Sequence, residues 1–170
     1  SGAIGLGAKK LDITTDTTTN KQAAASVGQP MLMGIWQDGF EKYNIKTAQI
    51  LLVEDDFSSR YKYLSLRSTL HKLLEYGVIP IINQNDAVST SECERASFSD
   101  NDKLASIVAS KLDADMLVLV SDIDGLYDKN PKTDNTARLI KTVDIITPEI
   151  EQMAQGATSG GRGGMITKLI

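Results

Sequence analysis

Short apolar runs alternate with amphipathic helical patterns along this chain of 170 residues. Val78 to Ile82 and Met116 to Val120 are continuously apolar, which is typical of strands covered by helices on both faces. Ala48 to Val53 is predicted to be a further strand, and apolar residues at three-to-four spacing predict helices at Ser58 to Tyr76 and around Leu104 to Leu112. The alternation predicts an α/β fold, a three-layer α/β/α sandwich with a mainly parallel central sheet.

Other segments carry weaker patterns. Ser1 to Lys10 is small and glycine-rich and is predicted to form the turn after a strand. Lys21 to Tyr43 is predicted to be helical with an interruption near Gly28-Gln29-Pro30, because proline disfavours continuation of a helix. Arg138 to Ile146 is predicted to be an edge strand, and Pro148 to Gly156 a helix.

The composition and net charge of the chain exclude several classes of function. A net charge of −4 and a pI near 5.0 give no basic surface for nucleic acid or an anionic membrane. No apolar run approaches the roughly 20 residues that span a bilayer, and no signal segment is visible, so we expect a cytoplasmic protein. The length predicts one domain, residues 1–170. Cys93 and His71, the sole residues of their types, cannot build a zinc site.

Polar clusters follow two of the predicted strands. Asn83 to Asp86 comes directly after one, and Ser121 to Gly125 after the other. Ligands of open α/β sheets bind beyond the carboxyl ends of the strands, so we expect these clusters to share one rim. Turn formation alone is an alternative explanation for Asn83 to Asp86. The second cluster resembles the start of an EF-hand loop, but Gly125 falls at position four instead of six, which excludes calcium and leaves no metal site of the protein's own.

Ser99-Asp100-Asn101-Asp102 opens a predicted helix. Helix capping is one explanation, because each of these side chains can accept a hydrogen bond from a free backbone N–H group. Four such residues in succession exceed what capping requires. The alternative is that one side chain binds substrate while a carboxylate aligns a lysine.

A glycine-rich segment, Gly160 to Gly164, leads into Met165-Ile166-Thr167-Lys168. Glycines before a helix start let backbone N–H groups approach a phosphate, and Lys168 lies about one turn further on. The pattern is neither a Walker A loop nor Gly-x-Gly-x-x-Gly, so a plain surface loop remains an alternative.

Taken together, six segments closely resemble the amino acid kinase family, and within it the enzymes that phosphorylate L-glutamate. They are Ser1 to Ile4, Lys21 to Gln29, Pro80 to Asp86, Ser99 to Leu104, Ser121 to Asp128 and Gly163 to Lys168. The resemblance covers essentially the whole chain. It implies the amino acid kinase fold and ATP-dependent phosphorylation of the glutamate γ-carboxylate, the first step towards proline, with Mg²⁺ carried by the nucleotide.

The resemblance also implies roles for individual residues. It implies that Lys168 is a catalytic residue and that Asp102 is the carboxylate that orients the Lys168 side chain. The glutamate-binding set would be Ser1, Asp86 and Asn101; the nucleotide-binding set would be Ser121, Asp122, Arg162, Gly163, Gly164, Met165, Thr167 and Lys168. Arg162 stands where many relatives have threonine. The family's first strand and closing elements lie outside Ser1 to Ile170, so we expect a domain incomplete at both ends.

Two alternatives remain open. One is another member of the family, acting on acetylglutamate, aspartate or UMP. The other is a non-catalytic regulatory module that binds glutamate or proline. As partners we expect L-glutamate and ATP, proline as a feedback inhibitor, and further copies of the chain in a dimer or tetramer, with no nucleic acid and no membrane.

Overall fold

The computed structural model describes residues 2–88, 101–154 and 165–169, with only the backbone of Ile166 and Thr167. The chain divides into two compact units, Ser1–Phe98 and Ser99–Ile170. None of the described helices is long and apolar enough to cross a membrane.

The first unit is built on a parallel pair of strands. Its elements are α1 (Ala3–Leu11), α2 (Thr18–Glu41), β1 (Lys46–Leu52), α3 (Asp55–Ser58), α4 (Arg60–Glu75) and β2 (Val78–Gln84). β1 and β2 pair in register from Lys46 opposite Val78 to Leu52 opposite Gln84. Parallel neighbours need a long crossover, which α3 and α4 supply here. The predicted α/β class and parallel pairing are confirmed.

The crossover helix α4 has clear boundaries in the sequence. The Ser59 side chain accepts a hydrogen bond from the Lys62 N–H group and caps the helix start. Gly77 ends it with a left-handed φ of 68°, a conformation that costs glycine little. Leu70, 1% exposed, anchors the buried face, and α4 contacts β2. The helix predicted at Ser58 to Tyr76 is thereby confirmed.

Two predictions for the start of the chain are wrong. Ala3 to Leu11 forms a helix where a turn was predicted, and α2 runs through Pro30 without interruption. A Cβ atom added to Gly7 would overlap the backbone of Ala24, and one added to Gly28 would overlap that of Ala3. These glycines therefore permit close packing of α1 on α2. That packing offsets the cost of about 3 kcal/mol that proline carries in a helix interior.

The second unit contains α5 (Asn101–Lys111), α6 (Pro148–Ala154) and a 3₁₀ helix (Met165–Lys168). The helix predicted around Leu104 to Leu112 is confirmed, and α6 confirms the first turns of the one predicted from Pro148. The strand predicted at Met116 to Val120 is wrong for the described residues. None of them pairs with this segment, and Val120 is 92% exposed. An apolar run favours a strand, but only a hydrogen-bonded neighbour makes one.

The edge strand predicted at Arg138 to Ile146 is wrong for the same reason. Among the described residues, Leu139 alone in this segment forms a bridge, an isolated antiparallel one with Tyr127. Two flanking backbone hydrogen bonds extend it into a short hairpin stem.

Candidate active site

The second unit brings a carboxylate and an ammonium group together across 66 residues of sequence. Lys168 Nζ donates a short hydrogen bond to Asp102 Oδ2. Their side chains are 20% and 24% exposed, so the ion pair is partly withdrawn from water. α5 and the 3₁₀ helix contact each other, which supports the pair. The structure thus brings together the carboxylate and the lysine that the family resemblance pairs, and their roles in catalysis stay predictions.

Local sequence fixes the position of Asp102. It lies in the first turn of α5, where the helix dipole favours a negative charge. Leu104, 3% exposed, buries the same turn, and the Ser106 hydroxyl donates to the Asp102 carbonyl oxygen at 2.9 Å. Asn101, the first residue of α5, is half-buried. The backbone of Asp102 is therefore fixed by an ordered helix turn, and its carboxylate is placed to orient an ammonium group.

In the first unit, two buried amides meet where β2 ends. Asn83 is 4% exposed and Gln29 on α2 is 7% exposed. The Asn83 Oδ1 atom accepts from the Gln84 N–H group at 2.9 Å, so its Nδ2 atom turns to Gln29 Oε1 and donates to it at 2.9 Å. That leaves Gln29 Nε2 buried without a partner among the described residues. A buried donor in this condition costs about 1–3 kcal/mol.

This amide pair lies between the start of α1 and the predicted substrate residue Asp86. Gly28, next to Gln29, packs against the Ala3 backbone at the first turn of α1. On the other side, the Asn85 N–H group donates to the Leu52 carbonyl oxygen at 2.8 Å, which holds the carboxyl ends of β1 and β2 together. Asp86 follows in a half-buried turn. The residues just after Ser1 and the end of β2 therefore belong to one neighbourhood of this unit.

Ser121 and Asp122 are both exposed, and the Ser121 hydroxyl donates to Asp122 Oδ1 at 3.4 Å. The stem after them is fixed by the Asp128 N–H group donating to the Arg138 carbonyl at 3.0 Å and by Ile140 donating to Leu126 at 2.8 Å. A hydroxyl and a carboxylate thus stand exposed beside an ordered stem, where a ligand can reach them.

Tyr127 strengthens the same stem. Its hydroxyl donates to Asp124 Oδ2 at 3.3 Å. Partial burial of the ring, followed by the Asp124 carboxylate, raises the pKa of Tyr127 above its ordinary value. The phenol therefore stays neutral and remains a donor at physiological pH.

The loop that closes the stem is held by Asp134. Its carboxylate accepts from the Thr136 hydroxyl at 2.6 Å and from the Thr136 N–H group at 2.8 Å, and it pairs with Lys129 at 3.2 Å. These contacts, the threonine hydroxyl first, lower the pKa of Asp134 to about 2. Because this carboxylate is satisfied within the loop, we assign it to structure and not to a ligand.

Several predicted site residues lie outside the described part of the chain. They are Ser1, Arg162, Gly163 and Gly164. Met165 is half-buried at the start of the 3₁₀ helix, and Thr167 is described only as part of that helix. Across residues 2–88, 101–154 and 165–169, no group of three or more His, Cys, Asp or Glu is placed to hold a metal ion.

Asn83 belongs to the polar cluster that the sequence predicted at the rim of the sheet, but Gln29 was given no role. A signal was present in the α2 pattern, because Gln29 falls on the face that buries Ala24, Ala25, Gly28 and Met33. A glutamine among small apolar residues on a buried face requires a partner. Its partner could not be read from the sequence, because Asn83 lies 54 residues further on.

Comparison with known proteins places these features in a family. The sequence model of the amino acid kinase family matches residues 2–170. The glutamate 5-kinase of Methanosarcina barkeri is 54% identical over 172 residues, which cover 99% of this chain and 45% of that enzyme. The glutamate 5-kinases of Paramagnetospirillum magneticum and Syntrophotalea carbinolica are 48% and 46% identical, with 100% and 99% of this chain and 46% and 45% of those enzymes covered. The chain spans about 45% of the length of these curated relatives.

Proposed function

This chain belongs to the amino acid kinase family, and on that premise we propose that it is part of an enzyme that phosphorylates the γ-carboxylate of L-glutamate with ATP. The products would be ADP and glutamate 5-phosphate, the first intermediate towards proline. The observation that carries the proposal is the 54% identity to a glutamate 5-kinase across 99% of this chain. The ion pair between Lys168 and Asp102 supplies a physical reason for it.

The reaction suits the chemistry that the chain contains. A γ-carboxylate oxygen attacks the γ-phosphorus of ATP, a new phosphorus–oxygen bond forms, and the bond to ADP breaks. The acceptor is already ionised at neutral pH, so no general base is needed. In phosphoryl transfer, the protein contributes mainly by positioning the reacting groups and by stabilising charge in the transition state. Positioning alone can contribute about 7–11 kcal/mol.

Lys168 is the proposed catalytic residue. Its ammonium group would stabilise negative charge on the transferring phosphoryl oxygens. Asp102 is a positioning residue that holds this ammonium group through their hydrogen bond. The proposed glutamate-binding residues are Ser1, Asp86 and Asn101, and the proposed nucleotide-binding residues are Ser121, Asp122, Arg162, Gly163, Gly164, Met165, Thr167 and Lys168.

Mg²⁺ is expected to arrive on the nucleotide. Magnesium held by phosphates keeps several waters and needs few protein ligands, and those ligands are oxygen atoms. The exposed Ser121 hydroxyl and Asp122 carboxylate fit that donor type, and they are the described residues that would hold the nucleotide with its ion. When bound, the ion would neutralise charge on the β- and γ-phosphates. Cytoplasmic location, a dimer or tetramer, and inhibition by proline stay predictions.

The proposal is tested on the complete protein that contains this chain. ADP release is measured with L-glutamate, N-acetylglutamate, aspartate and UMP as separate acceptors, and hydroxylamine is added to trap an acyl phosphate as the hydroxamate. We expect ADP release with glutamate together with glutamyl hydroxamate. Faster release with another acceptor would assign a different kinase activity. Glutamate or proline binding without calorimetric binding of ATP would instead favour a regulatory module.

A further inference from the structure

Gln29 carries a buried amide nitrogen that has no hydrogen-bond partner in the described part of the chain. Gln29 is 7% exposed, and its Nε2 atom finds no acceptor in the described part of the chain. The amide orientation follows from its neighbour, because Asn83 commits its oxygen to the Gln84 N–H group and can offer only Nδ2 to Gln29. Gln29 must therefore present Oε1 to Asn83, and its two N–H donors are left for an acceptor outside this pair.

The surroundings of this donor indicate what the acceptor is. Asn83 is three residues before Asp86, at the end of β2, and Gly28 packs against the first turn of α1. Asp86 brings negative charge to this end of the strand. A polyanion such as the triphosphate of ATP is disfavoured beside a carboxylate, whereas an amino acid offers an ammonium group to the carboxylate and carboxylate oxygens to neutral amide donors.

We propose that Gln29 is a further substrate-binding residue, whose Nε2 donates a hydrogen bond to a carboxylate oxygen of the amino acid substrate, and that Asn83 is the positioning residue that turns this amide. The inference rests on the proposed function and deepens it. Asn83 fixes the orientation of the Gln29 amide, so that its N–H groups face the substrate carboxylate. If this amide were rotated by half a turn, its oxygen would face the carboxylate and repel it.

Two variants of the complete enzyme test the assignment. Gln29→Met removes the amide and keeps the length of the side chain. Gln29→Glu keeps the acceptor for Asn83 but replaces the donor with a negative oxygen, and it retains shape should the methionine variant fail to fold. Gln37→Met, an exposed glutamine on the same helix, is the matched control.

We expect Gln29→Met to raise the KM for glutamate roughly 10- to 100-fold, the effect of losing a hydrogen bond to a charged group. Gln29→Glu should raise it further, because two carboxylates then face each other. The KM for ATP should stay within about twofold in both, since the lost contact is to the amino acid. Thermal shift gives a second readout: glutamate should stabilise the wild type and the Gln37→Met variant more than either Gln29 variant.

Different results overturn different claims. If the wild type phosphorylates glutamate and both folded Gln29 variants keep its KM for glutamate, the assignment of Gln29 fails while the proposed function stands. A rise confined to the KM for ATP would also overturn it, because the donor would then serve the nucleotide. Absence of glutamate phosphorylation by the wild type would remove the proposed function and this inference with it.

Discussion

Removal of the Lys168 ammonium group is the most informative perturbation of the second unit. Lys168→Met keeps the length of the side chain and deletes its charge. At an effective dielectric constant of about 20, a charge about 4 Å from a phosphoryl oxygen contributes about 4 kcal/mol. Loss of one preorganised donor typically costs about 2.7–4 kcal/mol. Because Lys168 is 20% exposed, we expect the lower end, a fall in kcat of roughly 10²-fold.

Asp102→Asn separates positioning from charge stabilisation. The amide oxygen can still accept a hydrogen bond from Lys168, but the charge that attracts the ammonium group is gone. We expect kcat to fall about tenfold, less than in the Lys168 variant, which matches about 1.4 kcal/mol from one charge-assisted contact. The KM for glutamate should change little in either variant, since both act on the transferring phosphoryl group.

The assay is steady-state ADP release by the complete enzyme, with glutamate and ATP varied in turn. Lys111→Met, an exposed lysine in the last turn of α5, is the control for loss of a positive charge on this unit. Thermal unfolding of each variant excludes a general loss of structure. If Lys168→Met changes kcat by less than about threefold while its melting temperature is retained, the catalytic role of Lys168 is refuted.

Two further predictions concern the framework around the site. Gly28→Ala should destabilise the protein by about 1–3 kcal/mol or more, because its Cβ would meet the Ala3 backbone, whereas Gly34→Ala on the same helix meets nothing within 4 Å and should stabilise it by about 1 kcal/mol. Urea unfolding measures both, and changes of the same sign would contradict the packing argument. Thr136→Val should raise the pKa of Asp134 from about 2 towards its ordinary value of 3.8, because the hydroxyl is the largest stabilising contact of the carboxylate. Since the folded pKa lies below the unfolded one, this carboxylate stabilises the loop fully above about pH 4 and loses that contribution as pH falls through about 2. NMR titration of the Asp134 carboxyl measures this pKa, with the exposed Thr142→Val variant as the control. A pKa of Asp134 that stays at about 2 in the Thr136→Val variant would contradict the prediction.

Sequence patterns predicted the elements that carry their own boundary signals. The strand before Asn83 was predicted from a continuous apolar run. The helix that ends before Gly77 was predicted from apolar residues at three-to-four spacing and a terminal glycine, although its capping residue, Ser59, was not predicted. The α1–α2 pair failed because glycine and proline were interpreted through backbone propensity. Their positions are set instead by tertiary packing, since Gly7 and Gly28 each occupy a point where two helix backbones meet.

The candidate site also contains features that could be predicted from the sequence and features that could not. Asp102 and Lys168 were paired in advance because the resemblance to a family placed them, not because spacing across 66 residues predicts a contact. The segment Met116 to Val120 was predicted to be a strand because it is continuously apolar, but an apolar composition does not identify the strand with which it would pair. The orientation of Gln29 depends on which atom Asn83 commits to its own backbone. This orientation is determined by contacts in the folded structure and cannot be predicted from the sequence.

The central claim is that a carboxylate oxygen of glutamate attacks phosphorus directly. L-Glutamate carrying a heavy oxygen isotope in its γ-carboxylate can be incubated with ATP, Mg²⁺, hydroxylamine and the complete enzyme, and the released phosphate analysed by mass spectrometry. Hydroxylamine attacks the acyl carbon, so the account predicts phosphate that retains one heavy oxygen from the substrate together with glutamyl hydroxamate. Unlabelled phosphate, formed by transfer to water, would contradict it.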